Sequence, residues 1–309
     1  MIQGMSILIV GSTGLVGSAI LNKFKIMGLK PIGISSKDLD LRRYSRTLNF
    51  IRKIKPRIII NSAAKVGGIN YNKNYPVEFL LDNLKMQNNL IEAAYFCDVE
   101  RFIFLGSSCI YPKDSKQPIK EEYLFSGKLE KTNSAYAIAK LCGIELINSF
   151  QTQFGRDWIS VIPTSVYGPR DNFDKDKGHV IPSLISKFSE AIISGKKEIT
   201  LLGTGTPKRE FIHSDDLASA IHICLENYYE KEPINIGTGF EFSIKEIAEL
   251  IAEILGYSGT INWDDSWPDG TPRKLLDSSK IFSLGWSPNI PIDVGLYSTI
   301  KWYKANVLK

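Results

Sequence analysis

Short runs of branched apolar residues alternate with longer stretches of helical periodicity in the first half of this chain. Such runs are typical of strands buried on both faces of a parallel sheet. They lie at residues 5–10, 31–34, 57–60 and 101–105. Residues 18–24 and 83–97 instead repeat apolar positions at helical spacing. The alternation predicts an α/β fold with a doubly wound parallel sheet, in which ligands bind beyond the carboxyl ends of the strands.

The second half of the chain follows the same pattern less regularly. Residues 161–169 predict a strand that leaves the sheet, and 235–237 predict a strand that returns to it. Asp215 and Asp216 open a predicted helix, where their carboxylates would cap its positively polarised end. We therefore expect a dinucleotide-binding domain over 1–165 and a smaller substrate domain over 166–309. Segments near 212–240 should return to the first domain.

A glycine loop joins the first predicted strand to the first predicted helix. Its spacing is G-x-x-G-x-x-G, one residue longer than the common dinucleotide fingerprint. Glycine allows a sharp turn and brings backbone N–H groups close to an anion, and the following helix N-terminus adds a positive dipole. An ordinary glycine-rich turn has the same spacing, but the flanking strand and helix disfavour it. We predict a pyrophosphate site formed by Gly11, Ser12, Thr13, Gly14, Leu15, Val16 and Gly17.

The residues after the second predicted strand indicate which dinucleotide is bound. An acidic residue there would bind the ribose hydroxyls and repel a 2′-phosphate. This chain has Ser35, Ser36 and Lys37 instead, two hydroxyls and a cation, which favours NADP over NAD with Ser36 and Lys37 as cofactor contacts. Asp38 follows directly and could be the acidic residue that faces the ribose, so an NAD site stays open. A polar loop with a solvated lysine is the other alternative.

Composition excludes several classes of protein. The 309 residues are 43% apolar and 23% charged, which disfavours a disordered or fibrous protein. No apolar run approaches the length of a membrane span, and the first predicted strand is not preceded by the basic segment typical of a secretory signal. The four cysteines form no C-x-x-C pair, so we expect neither a metal site nor a disulfide. Free cysteines suit a reducing compartment, and we expect the protein in the cytoplasm. A scattered net charge of +5 suits an anionic small molecule and is poor evidence for nucleic acid.

Candidate catalytic groups follow the fourth predicted strand and lie on a later helix. Ser107 and Cys109 come after the strand at 101–105, at the edge where ligands bind. Tyr136 and Lys140 are four residues apart, which places them on one face of a helix. An ammonium beside a phenol should lower the tyrosine pKa from about 10 toward neutral. A surface pair is the alternative, and Ser107, able to bind a substrate carbonyl, favours the catalytic interpretation.

The glycine loop, Ser107, Tyr136 and Lys140 together resemble the extended short-chain dehydrogenase/reductase family, in its nucleotide-sugar branch with a Rossmann domain. Further motifs are similar to those of the GDP-L-fucose synthases, over residues 7–303. They lie at 64–69, 105–112, 134–140, 179–182 and 269–277. The resemblance implies a homodimer that epimerises carbons 3 and 5 of a GDP-4-keto-6-deoxy hexose and reduces carbon 4 with NADPH.

The resemblance also implies a role for each matching residue. Ser107 would polarise the carbonyl, Tyr136 would donate the proton, and Lys140 would hold the nicotinamide ribose. Cys109 and His179 would be the acid and base of epimerisation, although a core cysteine and a structural histidine are the ordinary alternatives. The implied cofactor contacts beyond the loops above are Ala63, Ala64, Leu105, Gly106, Ser107, Ser108, Tyr136, Lys140, Pro163, Thr164, Ser165, Val166 and His179. The implied substrate contacts are Lys187, Leu202, Arg209 and Asp269.

Some positions depart from the family pattern and leave the sugar open. Lys187 replaces an arginine, Leu202 a tryptophan, Ser165 an asparagine, and Thr13 an arginine. Loss of the bidentate guanidinium and of a flat stacking surface suits a GDP-4-keto-heptose as well as the hexose. Reduction without epimerisation also stays open.

Three more distant functions are weighed on the same motifs. A sugar 4,6-dehydratase uses an Asp-Glu pair as acid and base at the place where this chain has Ser108 and Cys109, so the carboxylates needed for elimination are missing. A UDP-sugar 4-epimerase would retain bound NAD after purification. A regulator that only senses NADP typically lacks the tyrosine or the lysine, and both are present here.

Overall fold

The computed structural model describes residues 2–267 and 269–308, and in those residues the chain forms twelve strands and ten helices. The strands are β1 Ile7–Val10, β2 Ile32–Ile34, β3 Ile58–Asn61, β4 Arg101–Leu105, β5 Asp157–Pro163, β6 Ser165–Tyr167, β7 Glu198–Leu202, β8 Lys208–His213, β9 Ile234–Ile236, β10 Glu241–Ser243, β11 Thr260–Asp264 and β12 Arg273–Lys274. The helices are α1 Leu15–Ile26, α2 Tyr44–Ile54, α3 Ile69–Asn74, α4 Pro76–Phe96, α5 Ser134–Phe154, α6 Val180–Ile193, α7 Ser214–Asn227, α8 Ile244–Leu255, α9 Ser279–Ser283 and α10 Ile292–Asn306.

A parallel sheet of six strands, in the order β2-β1-β3-β4-β5-β9, lies at the centre of the molecule. β1 is buried along its whole length, because its side chains alternate between two apolar layers. Ile7 and Ile9 pack with α1 and α7 on one face. Leu8 and Val10 pack with α2, α4 and α5 on the other. The prediction of a doubly wound parallel sheet is therefore confirmed.

A third apolar core lies in the second half of the chain. It packs α6, α8 and α10 around a small sheet in which β8 pairs with β6, β10 and β12. β9 leaves this half and pairs with β5 at the edge of the large sheet, as the sequence predicts. On this distribution of cores we propose the division at about residue 165, with the segment near 212–240 shared between the halves.

Two predicted elements differ from those observed. The helix predicted over 83–97 begins at Pro76, because proline suits the first helical position and Phe79 is completely buried. The single strand predicted over 161–169 is divided at Thr164. There the backbone N–H donates to the Ile236 carbonyl and the hydroxyl donates to the Glu210 carbonyl.

The predicted helix at 215 is present, but its cap is different. Asp215 and Asp216 lie in the first turn of α7. The capping group is the His213 imidazole, whose Nδ1 accepts a hydrogen bond from the Asp215 N–H at 3.2 Å. The Asp216 carboxylate instead accepts from the N–H groups of Asn289 and Ile290, so it holds a loop of the second half.

Across the described part of the chain, no helix combines the length and apolar character needed to cross a bilayer.

Candidate active site

The glycine loop forms a cradle at the carboxyl end of β1. Gly11 has φ +82°, and a Cβ on it would lie 2.8 Å from the Ala63 nitrogen. A Cβ on Gly17 would lie 2.2 Å from the Gly11 carbonyl oxygen, so the loop and α1 approach closely. Gly14 begins α1 without a side-chain hydrogen bond at the cap, which leaves first-turn N–H groups for an anion. Among the described residues this cradle fits the pyrophosphate of a dinucleotide.

Side chains around the cradle attach it to its neighbours. The Ser12 N–H and hydroxyl both donate to the Ile34 carbonyl, which joins the loop to β2. Thr13 lies exposed at the tip of the loop, and Leu15 and Val16 begin α1. The Ser62 hydroxyl donates to the Val10 carbonyl, which holds the start of the loop after β3 against β1.

The loop after β2 is organised by Asp38. Its Oδ2 accepts from the Ser35 N–H and the Ser35 hydroxyl, each at 2.8 Å. These hydrogen bonds hold the pKa of the Asp38 carboxyl below its usual range. Ser36 and Lys37 are exposed in the same turn. The acidic group is thus engaged within its own loop, while a hydroxyl and an ammonium face solvent, an arrangement that suits a 2′-phosphate.

The loop after β3 carries Ala63 and Ala64 across the strand ends. Its course is set by Asn83 of α4, whose Oδ1 accepts from the Lys65 N–H and whose Nδ2 donates to the Lys65 carbonyl. Ion pairs at the outer side of the loop run from Lys65 to Asp82 at 3.4 Å and from Asp82 to Arg42 at 3.6 Å. Asp82 therefore connects the loops after β2 and β3, between which the cofactor adenosine would lie.

The end of β4 presents Ser107 and Cys109. The strand ends at Leu105 and Gly106 follows it. Ser107 then caps a single 3₁₀ turn over Ser108–Ile110, and its hydroxyl accepts from the Cys109 N–H at 3.4 Å. Ser108 is buried, whereas Ser107 and Cys109 are partly exposed. The two predicted catalytic side chains are therefore accessible at this sheet edge.

α5 brings Tyr136 and Lys140 to the same place. The Lys140 ammonium is 4% exposed and donates to the Leu105 carbonyl at 2.7 Å. Its nitrogen lies 6.0 Å from the centre of the Tyr136 ring. The Ser107 side chain lies close enough to the Tyr136 hydroxyl to act on its pKa. Ser107, Tyr136 and Lys140, distant in sequence, thus form one contiguous group.

Burial shifts the pKa of both α5 residues toward the neutral form. The Lys140 pKa falls to about 7 because the ammonium is removed from water. The Tyr136 pKa is raised, chiefly by burial and further by Cys109, although Ser107 opposes this. The expectation that Lys140 would lower the tyrosine pKa is therefore wrong, because burial dominates the shift and the Lys140 ammonium donates to Leu105 instead. A protonated Tyr136 is the form that can donate a proton.

His179 is the N-cap residue of α6 and is accessible to solvent. Surrounding protein nevertheless dehydrates the imidazole and lowers its pKa, so at pH 7 the ring is neutral and can accept a proton. The preceding loop is held by the first half of the chain, since the Gly68 N–H donates to the Lys177 carbonyl at 2.8 Å. A Cβ on Gly68 would lie 2.4 Å from the Gly178 carbonyl oxygen.

Residues 163–166 lie where β5 passes into β6. Pro163 and Thr164 are buried, and Ser165 and Val166 are partly exposed. Ser165 pairs with Phe211 of β8, so this segment joins the large sheet to the small one. The implied contacts with the nicotinamide end of a cofactor would come from this junction.

The implied substrate residues separate into two places. Arg209 of β8 interacts electrostatically with both Cys109 and Asp269. The Asp269 carboxylate accepts from the Thr204 N–H at 3.0 Å, close to Leu202, which ends β7 and is 45% exposed. Lys187 of α6 is half-buried, which lowers its pKa, and the charged groups that act on it are Asp176 and Lys175. Arg209, Asp269 and Leu202 are therefore neighbours, whereas Lys187 lies beside the loop before His179.

Sequence reasoning missed three buried residues of α4 that support this site. Phe79 is completely buried and its ring contacts the Tyr136 ring edge-on at 6.3 Å. Asn83 and Gln87 follow Phe79 at four-residue intervals, and all three are buried on α4. A polar residue at an apolar helical position is the signal that could have identified Asn83, because a buried amide requires partners. In the described residues no cluster of three or more metal-ligating side chains occurs.

Comparisons with known proteins agree with this geometry. Residues 7–237 match the model of the NAD dependent epimerase/dehydratase family. GDP-L-fucose synthase 1 of Arabidopsis thaliana is 47% identical over 306 residues, covering 99% of this chain and 95% of that protein. The structure of a Naegleria fowleri GDP-L-fucose synthetase bound to NADP is similar with a TM-score of 0.91, at 31% identity over 100% of this chain and 97% of that one. A GDP-6-OMe-4-keto-L-xylo-heptose reductase from C. jejuni also has a TM-score of 0.91, at 31% identity over 98% and 99%.

We expect Lys140→Met to remove a pH-dependent part of the stability of the cofactor-free protein. Because the folded-state pKa is about 7 and the ordinary value 10.5, the unfolded chain binds more protons between these values, and stability rises with pH. The free energy of unfolding of the wild type, minus that of the variant, should increase from pH 7 to 9 by at most about 1.4 kcal/mol per pH unit. Urea unfolding at pH 6, 7, 8 and 9 measures it, and a flat difference would contradict the burial argument.

Proposed function

Because this chain belongs to the NAD dependent epimerase/dehydratase family, we propose that it converts a GDP-linked 4-keto-6-deoxy hexose by epimerising carbons 3 and 5 and reducing carbon 4 with NADPH. One observation carries the proposal: Tyr136 lies close enough to Ser107 for the serine to act on its pKa, beside the buried Lys140 that contacts the end of β4. This group offers a substrate carbonyl a hydrogen-bond donor and a protonated phenol. Relatives that are 43%, 44% and 47% identical over nearly the full length of the chain are named GDP-L-fucose synthases.

NADPH would be held along the carboxyl edge of the large sheet. The cradle at 11–17 suits the pyrophosphate, Ser36 and Lys37 suit the 2′-phosphate, and Ala63 and Ala64 leave room for the chain of the cofactor between them. The nicotinamide end would be surrounded by Lys140, His179 and residues 105–108 and 163–166. When bound, the cofactor supplies the hydride that carbon 4 receives.

Reduction needs a proton for the oxygen on carbon 4. Tyr136 supplies it, because burial keeps the phenol protonated at neutral pH. Ser107 donates a hydrogen bond to the same oxygen and polarises the carbonyl. The Lys140 ammonium of α5 contacts the end of β4, where a cation near the ribose and the phenol can restore the proton that Tyr136 loses.

Epimerisation uses the same carbonyl in a different way. A ketone at carbon 4 acidifies the protons on carbons 3 and 5, and the resulting enolate is stabilised by the donors that hold the carbonyl oxygen. One group must remove each proton and another must return a proton to the opposite face of the ring. Cys109 and the neutral imidazole of His179 supply these groups.

The GDP portion requires cations on the substrate side. Arg209 is partly buried beside Cys109, so its guanidinium can pair with the diphosphate close to the reacting sugar. Asp269 lies beside it and Lys187 lies on α6. Four free cysteines suit a reducing compartment, and we place the reaction in the cytoplasm.

A GDP-4-keto-heptose is the second candidate substrate. The C. jejuni heptose reductase has the same fold over nearly the whole length of this chain. Leu202 is exposed near Asp269 and presents a smaller surface than an aromatic residue would, which leaves space for a longer sugar. The hexose is favoured because GDP-L-fucose synthase 1 of Arabidopsis thaliana is 47% identical to this chain, against 31% for the heptose reductase.

We also propose that the protein forms a homodimer through α4 and α5. These helices pack side by side on the large sheet, and their outer faces expose Leu81, Ile138 and Cys142. Two such pairs can associate as a four-helix bundle that buries the exposed apolar side chains.

Tyr136→Phe should reduce turnover about a hundredfold or more and leave NADPH affinity nearly unchanged, because only the proton donor is lost. NADPH oxidation is followed with GDP-4-keto-6-deoxymannose and separately with a GDP-4-keto-heptose, and affinity is measured by NADPH fluorescence. Near-normal turnover of the variant would exclude Tyr136 as the proton donor. A wild type that oxidises NADPH only with the heptose would establish the second candidate.

Cys109→Ser should abolish most deuterium incorporation at carbons 3 and 5 when substrate is incubated in heavy water without NADPH. An alkoxide is far harder to form than a thiolate, so the variant lacks an effective proton acceptor. Reduction of a substrate that has already been epimerised should survive, because Tyr136 and Lys140 are unchanged. Absence of exchange in the wild type would instead identify the protein as a reductase alone.

Ile138→Glu should convert the dimer to a monomer, because a charge would be buried at the centre of the helical interface. Light scattering after size-exclusion chromatography should change from about twice 34.7 kDa to 34.7 kDa. Ile193→Glu is the matched control, since Ile193 is 68% exposed at the end of α6 in the other half of the chain. Equal masses for the wild type and both variants would exclude this interface.

A further inference from the structure

A buried set of polar groups connects the segment carrying Cys109 to the second half of the chain. We call it the polar junction, and define it as Tyr111, Asn235, Glu210 and the backbone at 119 and 276–277. Tyr111 is 3% exposed, and Asn235 and Glu210 are completely buried. Such groups are expensive to bury unless their hydrogen bonds are satisfied, so their placement is constrained by geometry.

Asn235, on β9, is the centre of the junction. Its Oδ1 accepts from the Tyr111 hydroxyl at 2.7 Å, and its Nδ2 donates to the Ile119 carbonyl at 2.9 Å and the Asp277 carbonyl at 3.2 Å. Its backbone N–H donates to the Glu121 carboxylate. One side chain thereby joins three segments of the chain that are far apart in sequence.

Glu210 extends the junction to the substrate side. Its carboxylate accepts from the Gly239 N–H at 2.8 Å and from the Leu276 N–H at 3.1 Å. Arg209 immediately precedes it on β8 and is in register with Lys274 of β12. The segment at 276–277 is thus held by Glu210 on one side and by Asn235 on the other, and it connects Tyr111 to the strand that carries Arg209.

Tyr111 is two residues beyond Cys109, at the end of the same 3₁₀ turn. Burial raises the pKa of the Tyr111 hydroxyl, so it remains a hydrogen-bond donor across the working pH range. The turn spans only Ser108–Ile110, and its side-chain cap is a long hydrogen bond of 3.4 Å between the Ser107 hydroxyl and the Cys109 N–H. The buried Ile110 and Tyr111 therefore anchor the turn on its C-terminal side, and the Tyr111 hydroxyl supplies the directional part of this anchor.

We propose that Tyr111 is a positioning residue for epimerisation: its hydrogen bond to Asn235 holds the turn that carries Cys109 at a fixed place relative to Arg209. The inference deepens the proposed function and rests on it, because Cys109 acts there as an acid or base on the sugar. Tyr136 is placed separately by α5, and Ser107 lies at the other end of the turn from Tyr111, two residues after β4 ends. Loss of the Tyr111 bond should therefore affect proton transfer at carbons 3 and 5 more than reduction at carbon 4.

Tyr111→Phe removes one hydroxyl, and Tyr228→Phe is a closely matched control. Tyr228 is also 3% exposed, and its hydroxyl donates to the Glu232 carbonyl at 2.7 Å, outside the polar junction. In heavy water without NADPH, deuterium incorporation into GDP-4-keto-6-deoxymannose should fall about tenfold in Tyr111→Phe, since a small displacement of a catalytic group has a large effect on rate. Reduction of the already epimerised sugar should stay within about twofold. Tyr228→Phe should leave both rates within about twofold.

A second measurement does not depend on catalysis. The rate of alkylation of Cys109 by iodoacetamide should rise about threefold in Tyr111→Phe, because the thiol is only partly exposed and its turn is released. Cys97, which is partly exposed after the end of α4 and distant in sequence from Tyr111, is the internal standard in the same digest and should be unchanged.

These readouts separate failure of the inference from failure of the proposed function. Equal losses of exchange and reduction in Tyr111→Phe, or equal effects of the two tyrosine variants, would overturn the positioning role. A wild type without deuterium exchange would refute the proposed epimerisation. The alkylation rate would then decide the positioning of Cys109 by itself, and an unchanged rate would overturn it.

Discussion

The active site depends on one buried contact, the hydrogen bond from the Lys140 ammonium to the Leu105 carbonyl. It joins α5 to the end of β4, and an amine left unpaired at this depth would be strongly unfavourable. The helix can approach this closely because Gly143 faces the sheet, where a Cβ would lie 2.2 Å from the Phe104 ring. With α5 fixed there, Tyr136, one turn earlier, reaches Ser107.

Loss of hydration sets the protonation states of the site. Dehydration raises the pKa of Tyr136 and lowers those of Lys140 and His179, so each group tends toward its neutral form. A neutral phenol can give a proton and a neutral imidazole can take one. The charges that enter with a dinucleotide and a GDP sugar then act at low dielectric, where electrostatic interactions are stronger than in water.

The groups proposed for reduction and those proposed for sugar recognition lie in different parts of the chain. Ser107, Tyr136 and Lys140 lie on the large sheet and the helix packed against it, whereas Arg209 and Asp269 belong to the second half. The polar junction is where these parts are joined, through residues with no direct role in the chemistry. This arrangement explains how similar folds can be found in proteins named for hexose and for heptose substrates. The sugar pocket can change while the support of the reacting groups is kept.

The sequence by itself determined the features that depend on neighbouring residues. β4 has the predicted bounds because an apolar run ends at Gly106, and Tyr136 and Lys140 share a helix face because helical spacing requires it. Tertiary structure decided the rest. Tyr111 and Asn235 are 124 positions apart and meet only because β9 pairs with β5 at the edge of the sheet. The upward shift of the Tyr136 pKa likewise follows from burial, which the spacing of residues along a helix does not reveal.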